Sequence, residues 1–292
     1  MTIEDAINRA KQLGQARLQK HKMADEARRE STELKMSPQP DRDSAWSGSE
    51  RAAKLEPLRT AEISAAACEQ NRVLLSESQL RAFPHADAAY RLLRSRVQHR
   101  LKRNNWFSLA ITSPTPDDGK TITTLNLAIS IAREKQKPVY VLDLDMRNPC
   151  ICGFLGIRDV RPLPDYFLGQ AGPEDVLVET SFPNLIVAGA QSATEGASEL
   201  LAGPRLEELL AHIRRRSPDA CVLVDLPPVN ITDEALVVAP RVDATLIVVS
   251  EGKTERKDLT QALRTLSEFT IAGVIVNRSS DSHKTEYLKY SA

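Results

Sequence analysis

The stretch "SPTPDDGKTITT", Ser113 to Thr124, decides how the rest of the chain is read. Its Gly119-Lys120-Thr121 has the form of the end of a phosphate-binding loop, where backbone N–H groups and a lysine surround an anion at a helix start. The full pattern GxxxxGK[ST] asks for a first glycine where this chain has Pro114. Context strengthens the shortened motif. The apolar run "FSLAIT" (107–112) precedes it, and "KTITTLNLAISIARE" (120–134), with a helical texture, follows it. In a strand–loop–helix unit, Gly119 lets the backbone approach phosphate, Lys120 reaches the β- and γ-phosphates, and Thr121 offers its hydroxyl to Mg²⁺.

Five further short runs share the texture of "FSLAIT". They are "VYVLDL" (139–144), "LIVAGA" (185–190), "CVLVDL" (221–226), "ATLIVVS" (244–250) and "GVIVN" (273–277). Each is brief, rich in β-branched residues and nearly continuous, as strands buried on both faces are. Helical patterns lie between them, over Pro204–Arg216 with Leu206, Leu209, Leu210 and Ile213 on one face, and over Glu255–Phe269. Alternating strands and helices predict an α/β fold with a mostly parallel central sheet flanked by helices. Ligands of such sheets sit beyond the C-terminal strand ends. Two of the runs end in acids there. Asp143 and Asp145 close the first of the five, spaced by two and so aimed to one face of a strand, and Asp225 closes "CVLVD" before two prolines. Buried carboxylates at a strand end need a cation or donors, and Mg²⁺ beside a phosphate would serve.

Bulk composition narrows the alternatives. The 292 residues carry 39 Lys+Arg against 39 Asp+Glu, so no global charge draws the chain to nucleic acid or an anionic membrane. Four cysteines (Cys68, Cys150, Cys152 and Cys221) are too few for a disulfide framework and suit a reducing, cytoplasmic setting. No apolar run reaches the length of a membrane span, and the N-terminus lacks a signal-peptide core. Membrane contact is expected only peripherally, through a partner. Residues 1–30 have the composition of a weakly amphipathic helix, 31–80 read as a flexible linker, 81–280 as the nucleotide-binding domain and 281–292 as a tail. From Ala86 a helix carries Ala89, Leu93, Val97 and Leu101 at i, i+4 spacing, with Arg91, Arg94, Arg96, Arg100, Lys102 and Arg103 on the other face.

The segments "SPTPDDGKT", "VLDLDMRNP" and "VLVDLPPVNITDEA" together resemble the Walker A, A′ and B motifs of the bacterial tyrosine kinases of capsule and exopolysaccharide systems. The likeness runs from about Tyr90 to the end, and is greatest to the autokinases found with exosortase loci. A wider kinship with MinD/ParA-type P-loop ATPases goes with it. The resemblance implies a P-loop NTPase fold and an ATP- and Mg²⁺-dependent protein-tyrosine autokinase regulating exopolysaccharide biosynthesis and export. It implies nucleotide contacts from Pro116, Asp118, Gly119, Lys120, Thr121 and Ile122. It gives catalytic roles to Lys120, Asp143, Asp145 and Asp225, with Asp143 positioning or deprotonating the acceptor hydroxyl, and a metal shell of Thr121, Asp145 and Asp225. Tyr287 and Tyr290 would be the phosphoacceptors. The implied partners are a second copy of the chain and the cytosolic segment of a membrane chain-length regulator, a polysaccharide co-polymerase, with no specific nucleic acid. The chain departs from the family pattern at Asp117, where glycine is usual, and at Ala88, where the oligomerisation helix usually has glutamate. Asp117, together with a tail of two tyrosines where many relatives have a run, motivates a second reading, a nucleotide-switched adaptor with little kinase activity. A partitioning-type ATPase with its basic helix on DNA is the third.

Overall fold

The computed structural model describes residues 56–134 and 137–279. The expected helix over 1–30, the linker up to residue 55 and the tail with Tyr287 and Tyr290 lie outside the described residues. Eight strands form one sheet: β1 (Arg59–Ala61), β2 (Ser108–Thr112), β3 (Val139–Asp143), β4 (Val178–Thr180), β5 (Leu185–Ala188), β6 (Cys221–Asp225), β7 (Ala244–Ser250) and β8 (Ile271–Asn277). Their order is β1-β4-β5-β3-β6-β2-β7-β8. Every neighbouring pair is parallel except β4 with β5. The helices are α1 (Ala65–Gln70), α2 (Glu77–Ala82), α3 (Pro84–Asn104), α4 (Lys120–Ala132), α5 (Ile151–Leu155), α6 (Leu163–Phe167), α7 (Pro173–Val176), α8 (Ala197–Ala202), α9 (Arg205–Arg216), α10 (Glu234–Val238) and α11 (Arg256–Thr265).

All six runs read as strands form strands. β2, β3, β5, β6 and β7 are buried along their whole length, because helices cover both faces of the sheet. One face packs Tyr140, Leu142, Leu206, Leu209 and Ile213. The other packs Ile111, Leu125, Ile129, Val141 and Leu223. α4 has no solvent face to speak of: Thr121 and the ten-residue course from Thr123 to its end are buried. Its polar residues must therefore find partners inside the protein.

Two expectations need correction. Residues 58–80, read as linker, belong to the folded unit that holds the sheet. β1 pairs with β4, Cys68 and Val73 are fully buried, and Asn126 of α4 accepts the Leu74 N–H at 2.7 Å. Arg133 donates to the Leu74 and Leu75 carbonyls. Three strand residues "RTA" carry no local signal, so the segment is ordered by what it docks against. The second correction concerns α3. Val97 and Leu101 are buried, but Ala89 is exposed and Leu93 only half-buried. Its basic face is not all free for a partner either. Arg94 turns inward, 2.9 Å from Glu134 and 3.0 Å from the Ser130 carbonyl, and Arg91 pairs with Asp87 at 3.1 Å.

Candidate active site

The phosphate loop runs from the end of β2 to the start of α4. Gly119 has φ of +93°, a conformation open to glycine at little cost. A Cβ there would come within 2.0 Å of the Asn277 amide nitrogen, so glycine is required for space as well. Gly119 at the cap position makes no side-chain capping bond, which leaves the first-turn N–H groups and the positive end of the helix dipole facing the loop. Asp118 is fully buried and organises the loop from within. Its Oδ2 accepts from the Thr115 N–H at 3.0 Å and the Thr115 hydroxyl at 2.8 Å. Asp117 takes the left-handed conformation, φ +57°. Its side chain is 88% exposed, so the negative charge stands in solvent, with the Lys253 ammonium 3.8 Å away.

Sheet register brings the acids together. Asp143 of β3 lies opposite Asp225 of β6, and Asp225 lies opposite Ile111 of β2. The switch in strand order at β3-β6-β2 thus sets both carboxylates beside the loop that follows β2. β3 ends at Asp143, so the period-two argument does not carry to Asp145, which begins a turn closed by the Asn148 N–H on the Asp145 carbonyl. The two acids take different partners. Asp145 Oδ2 receives the Lys120 ammonium at 2.7 Å. Asp143 Oδ2 accepts the Cys150 and Ile151 N–H groups at 3.0 Å each, while its Oδ1 is buried with no hydrogen-bond partner among the described residues. Asp225 stands 3.5 Å from Lys120 Nζ, takes the Thr121 hydroxyl at 2.7 Å on one oxygen and the Thr124 hydroxyl at 3.0 Å on the other.

Three buried carboxylates thus share one ammonium. Burial, then the charge of Asp225, pushes the Asp143 carboxyl up to about 8 against the pull of the Ile151 N–H and Lys120. Burial also raises Asp225, opposed by Lys120 and the two threonine hydroxyls. For Lys120, burial pulls the pKa down, but the charges of Asp225 and Asp145 outweigh it and hold the amine above its ordinary value. The cluster has an excess of acid, and a divalent cation carried in with phosphates would relieve it. Among the described residues no group of three or more acids, histidines or cysteines is close enough to cage a metal unaided. Mg²⁺ bound chiefly through phosphates needs no such cage.

The structure brings Lys120, Thr121, Asp143, Asp145 and Asp225 into one cluster and sets the loop residues Pro116, Asp118 and Gly119 beside it. Ile122 packs its side chain with the hydrophobic layer on one face of the sheet. Sequence reading missed Thr124, one turn past Thr121 on the same face of α4. It also missed the ion pair of Arg147 Nε with Glu234 at 2.5 Å, which ties the loop after β3 to α10 through a fully buried carboxylate. The hydroxyl spacing Thr121/Thr124 was a usable signal for the first. Nothing local signals the second, whose partners are 87 residues apart.

No family model matches the chain. Relatives are found among characterised proteins. The tyrosine-protein kinase CpsD of Streptococcus pneumoniae serotype 4 is 25% identical over 207 residues, which cover 70% of this chain and 89% of the relative. The tyrosine-protein kinase YwqD of Bacillus subtilis is 26% identical over 208 residues, covering 69% and 84%. Among solved structures, the kinase domain of the Escherichia coli tyrosine kinase ETK superposes with a TM-score of 0.61 at 26% identity, covering 68% of this chain and 79% of that one.

Proposed function

We propose that this chain, a homologue by sequence and fold of the bacterial tyrosine-protein kinases, moves the γ-phosphoryl group of ATP to tyrosine hydroxyls, and that it acts in capsule or exopolysaccharide assembly. The observation that carries this reading is the gathering of Lys120 with Asp145 and Asp225, and of Asp143 beside them, at the strand ends that face the phosphate loop. Phosphoryl transfer asks a protein mainly for position and charge. Mg²⁺ on ATP would supply the remaining positive charge. Lys120 is engaged by Asp145 and Asp225. With Mg-ATP bound, those acids would hold the metal side and the Lys120 ammonium would serve the β- and γ-phosphates. Thr121 and Asp225 would hold the metal side of the nucleotide, and Asp145 would support that shell. Asp143 is the acid with a spare oxygen, Oδ1, and serves as acceptor for the tyrosine proton. The tyrosine oxygen bonds to Pγ, the bond from Pγ to the β,γ-bridging oxygen breaks, ADP departs, and the proton passes to Asp143. Asp143 must be ionised for this, which the lysine and the metal favour.

We assign Tyr287 and Tyr290 as acceptors on a second copy. The cytosolic segment of a membrane polysaccharide co-polymerase is the proposed activating partner, and peripheral location at the membrane follows from it. No helix among the described residues is long and apolar enough to cross a membrane. The test is incubation of the purified chain with Mg-ATP, with and without that segment, followed by mass spectrometry. Phosphotyrosine at Tyr287 or Tyr290 that vanishes in Lys120→Met and in Asp143→Asn supports the assignment. ATP binding with no phosphotyrosine in either condition would instead favour the nucleotide-switched adaptor.

A further inference from the structure

The phosphate loop is held from its outer side by residues that belong to none of the three nucleotide motifs. All come from the ends of β7 and β8. Lys253, in the turn after β7, donates to the Pro116 carbonyl at 2.6 Å and lies 3.8 Å from the Asp117 carboxylate. Thr254 donates its hydroxyl to Asp118 Oδ1 at 2.7 Å. A carboxylate oxygen only accepts, so the hydroxyl is the donor, and its own oxygen accepts the Ser250 N–H at 2.7 Å. Asn277, at the end of β8, donates its amide to the Asp118 carbonyl at 2.9 Å.

We infer that Lys253 and Thr254 are positioning residues that hold the phosphate loop in its anion-binding shape before nucleotide arrives. The inference rests on the reading of the loop as a nucleotide site. Three consecutive loop residues, Pro116 to Asp118, each have a partner on this side, and two of the contacts converge on Asp118, which is wholly buried. Within itself the loop has the two Asp118–Thr115 bonds and the Ser113 hydroxyl on the Thr115 carbonyl. It lacks the first glycine of the full motif, and Asp117 sits in a conformation that costs a non-glycine residue energy. The Lys253–Asp117 ion pair is a minor part of the arrangement, since both partners are largely exposed and solvent screens them. The carbonyl contact and the Thr254–Asp118 bond carry the effect. A preformed cradle lowers the ordering cost of binding, so its loss appears in nucleotide affinity and not in the chemical step.

The test uses the full chain with Mg-ATP and a fluorescent ATP analogue. Thr254→Val and Lys253→Met are compared with Thr254→Ser and Lys253→Arg, with circular dichroism and thermal melts to establish folding. The expected result is nucleotide affinity weakened roughly tenfold in Thr254→Val and a fewfold in Lys253→Met, with the phosphorylation rate at saturating ATP within about twofold of the native chain. Thr254→Ser and Lys253→Arg should restore affinity. If the native chain binds nucleotide and both Thr254→Val and Lys253→Met bind it equally well, the positioning role is refuted while the nucleotide-site reading stands. If the serine and arginine variants fail to rescue, the role is also refuted, because the hydroxyl and the cation are then not what matters. If the native chain itself binds no Mg-ATP, both readings fall together.

Discussion

Replacing Lys120 with methionine should do more than abolish phosphoryl transfer. Lys120 Nζ lies 2.7 Å from Asp145 and 3.5 Å from Asp225, with side-chain exposures of 12%, 5% and 2%. Removing one partner from a buried ion pair leaves an uncompensated charge, at a typical cost of about 3–5 kcal/mol. The chain can escape by protonating a carboxylate. Asp143 is already pushed up to about 8, so a second acid must take the proton. For an ordinary carboxylate that costs about 4 kcal/mol at pH 7 and about 1.5 kcal/mol at pH 5, at about 1.4 kcal/mol per unit. The two routes agree on roughly 3–5 kcal/mol at neutral pH, and the second requires the deficit to shrink as pH falls. Urea denaturation of the nucleotide-free proteins at pH 7 and pH 5 measures both features. Adding Asp145→Asn to Lys120→Met should recover much of the stability and none of the activity. A Lys120→Met protein as stable as the native chain at pH 7 would refute the argument, as would a deficit that does not change with pH.

Other consequences follow from the same geometry. An acid held near 8 in the native state keeps its proton where the unfolded chain has lost it, so the native state binds more protons between about pH 4 and 8, and this carboxyl lowers stability as pH rises through that window. Asp143→Asn removes the penalty and should melt progressively higher than the native protein as pH increases, while losing phosphotyrosine formation; parallel melting curves across the window would count against it. Asp117→Gly should change Mg-ATP affinity by less than about threefold, because the side chain is turned to solvent; a tenfold gain would show that the native loop is impaired. Val73→Ala should cost about 2 kcal/mol in urea denaturation, since Val73 is fully buried. An unchanged midpoint would mean that the 58–80 segment contributes nothing to the core.

The Lys120 prediction depends on contacts that no local pattern contains. Lys120 and Asp145 are 25 residues apart, and Lys120 and Asp225 are 105 apart. What was legible were their separate positions: a lysine at a helix start, and acids at the ends of buried strands. The α3 stripe was legible only in its lower half, because helical periodicity describes what a helix offers and not how far its neighbour extends. Asp117 looked like a defect in the loop. The left-handed backbone aims it outward, and a lysine 136 residues away takes up the other side of the loop.

The sequence by itself determined the six long strands, α4 and the identity of the phosphate loop. Continuous β-branched runs commit to strand, and to burial everywhere but in the edge strand β8, where Val276 is exposed, and Gly119-Lys120-Thr121 has its meaning in a strand–loop–helix unit of about thirty residues. Tertiary structure decided the rest. It set the register that places Asp143 opposite Asp225 and gave Asp145, and not Asp143, to Lys120. It ordered the 58–80 segment by docking and braced the loop from β7 and β8. The physical reason is the same in each case. These contacts are short-range polar bonds whose partners are brought within reach only when the sheet assembles, and sequence spacing carries no record of that distance.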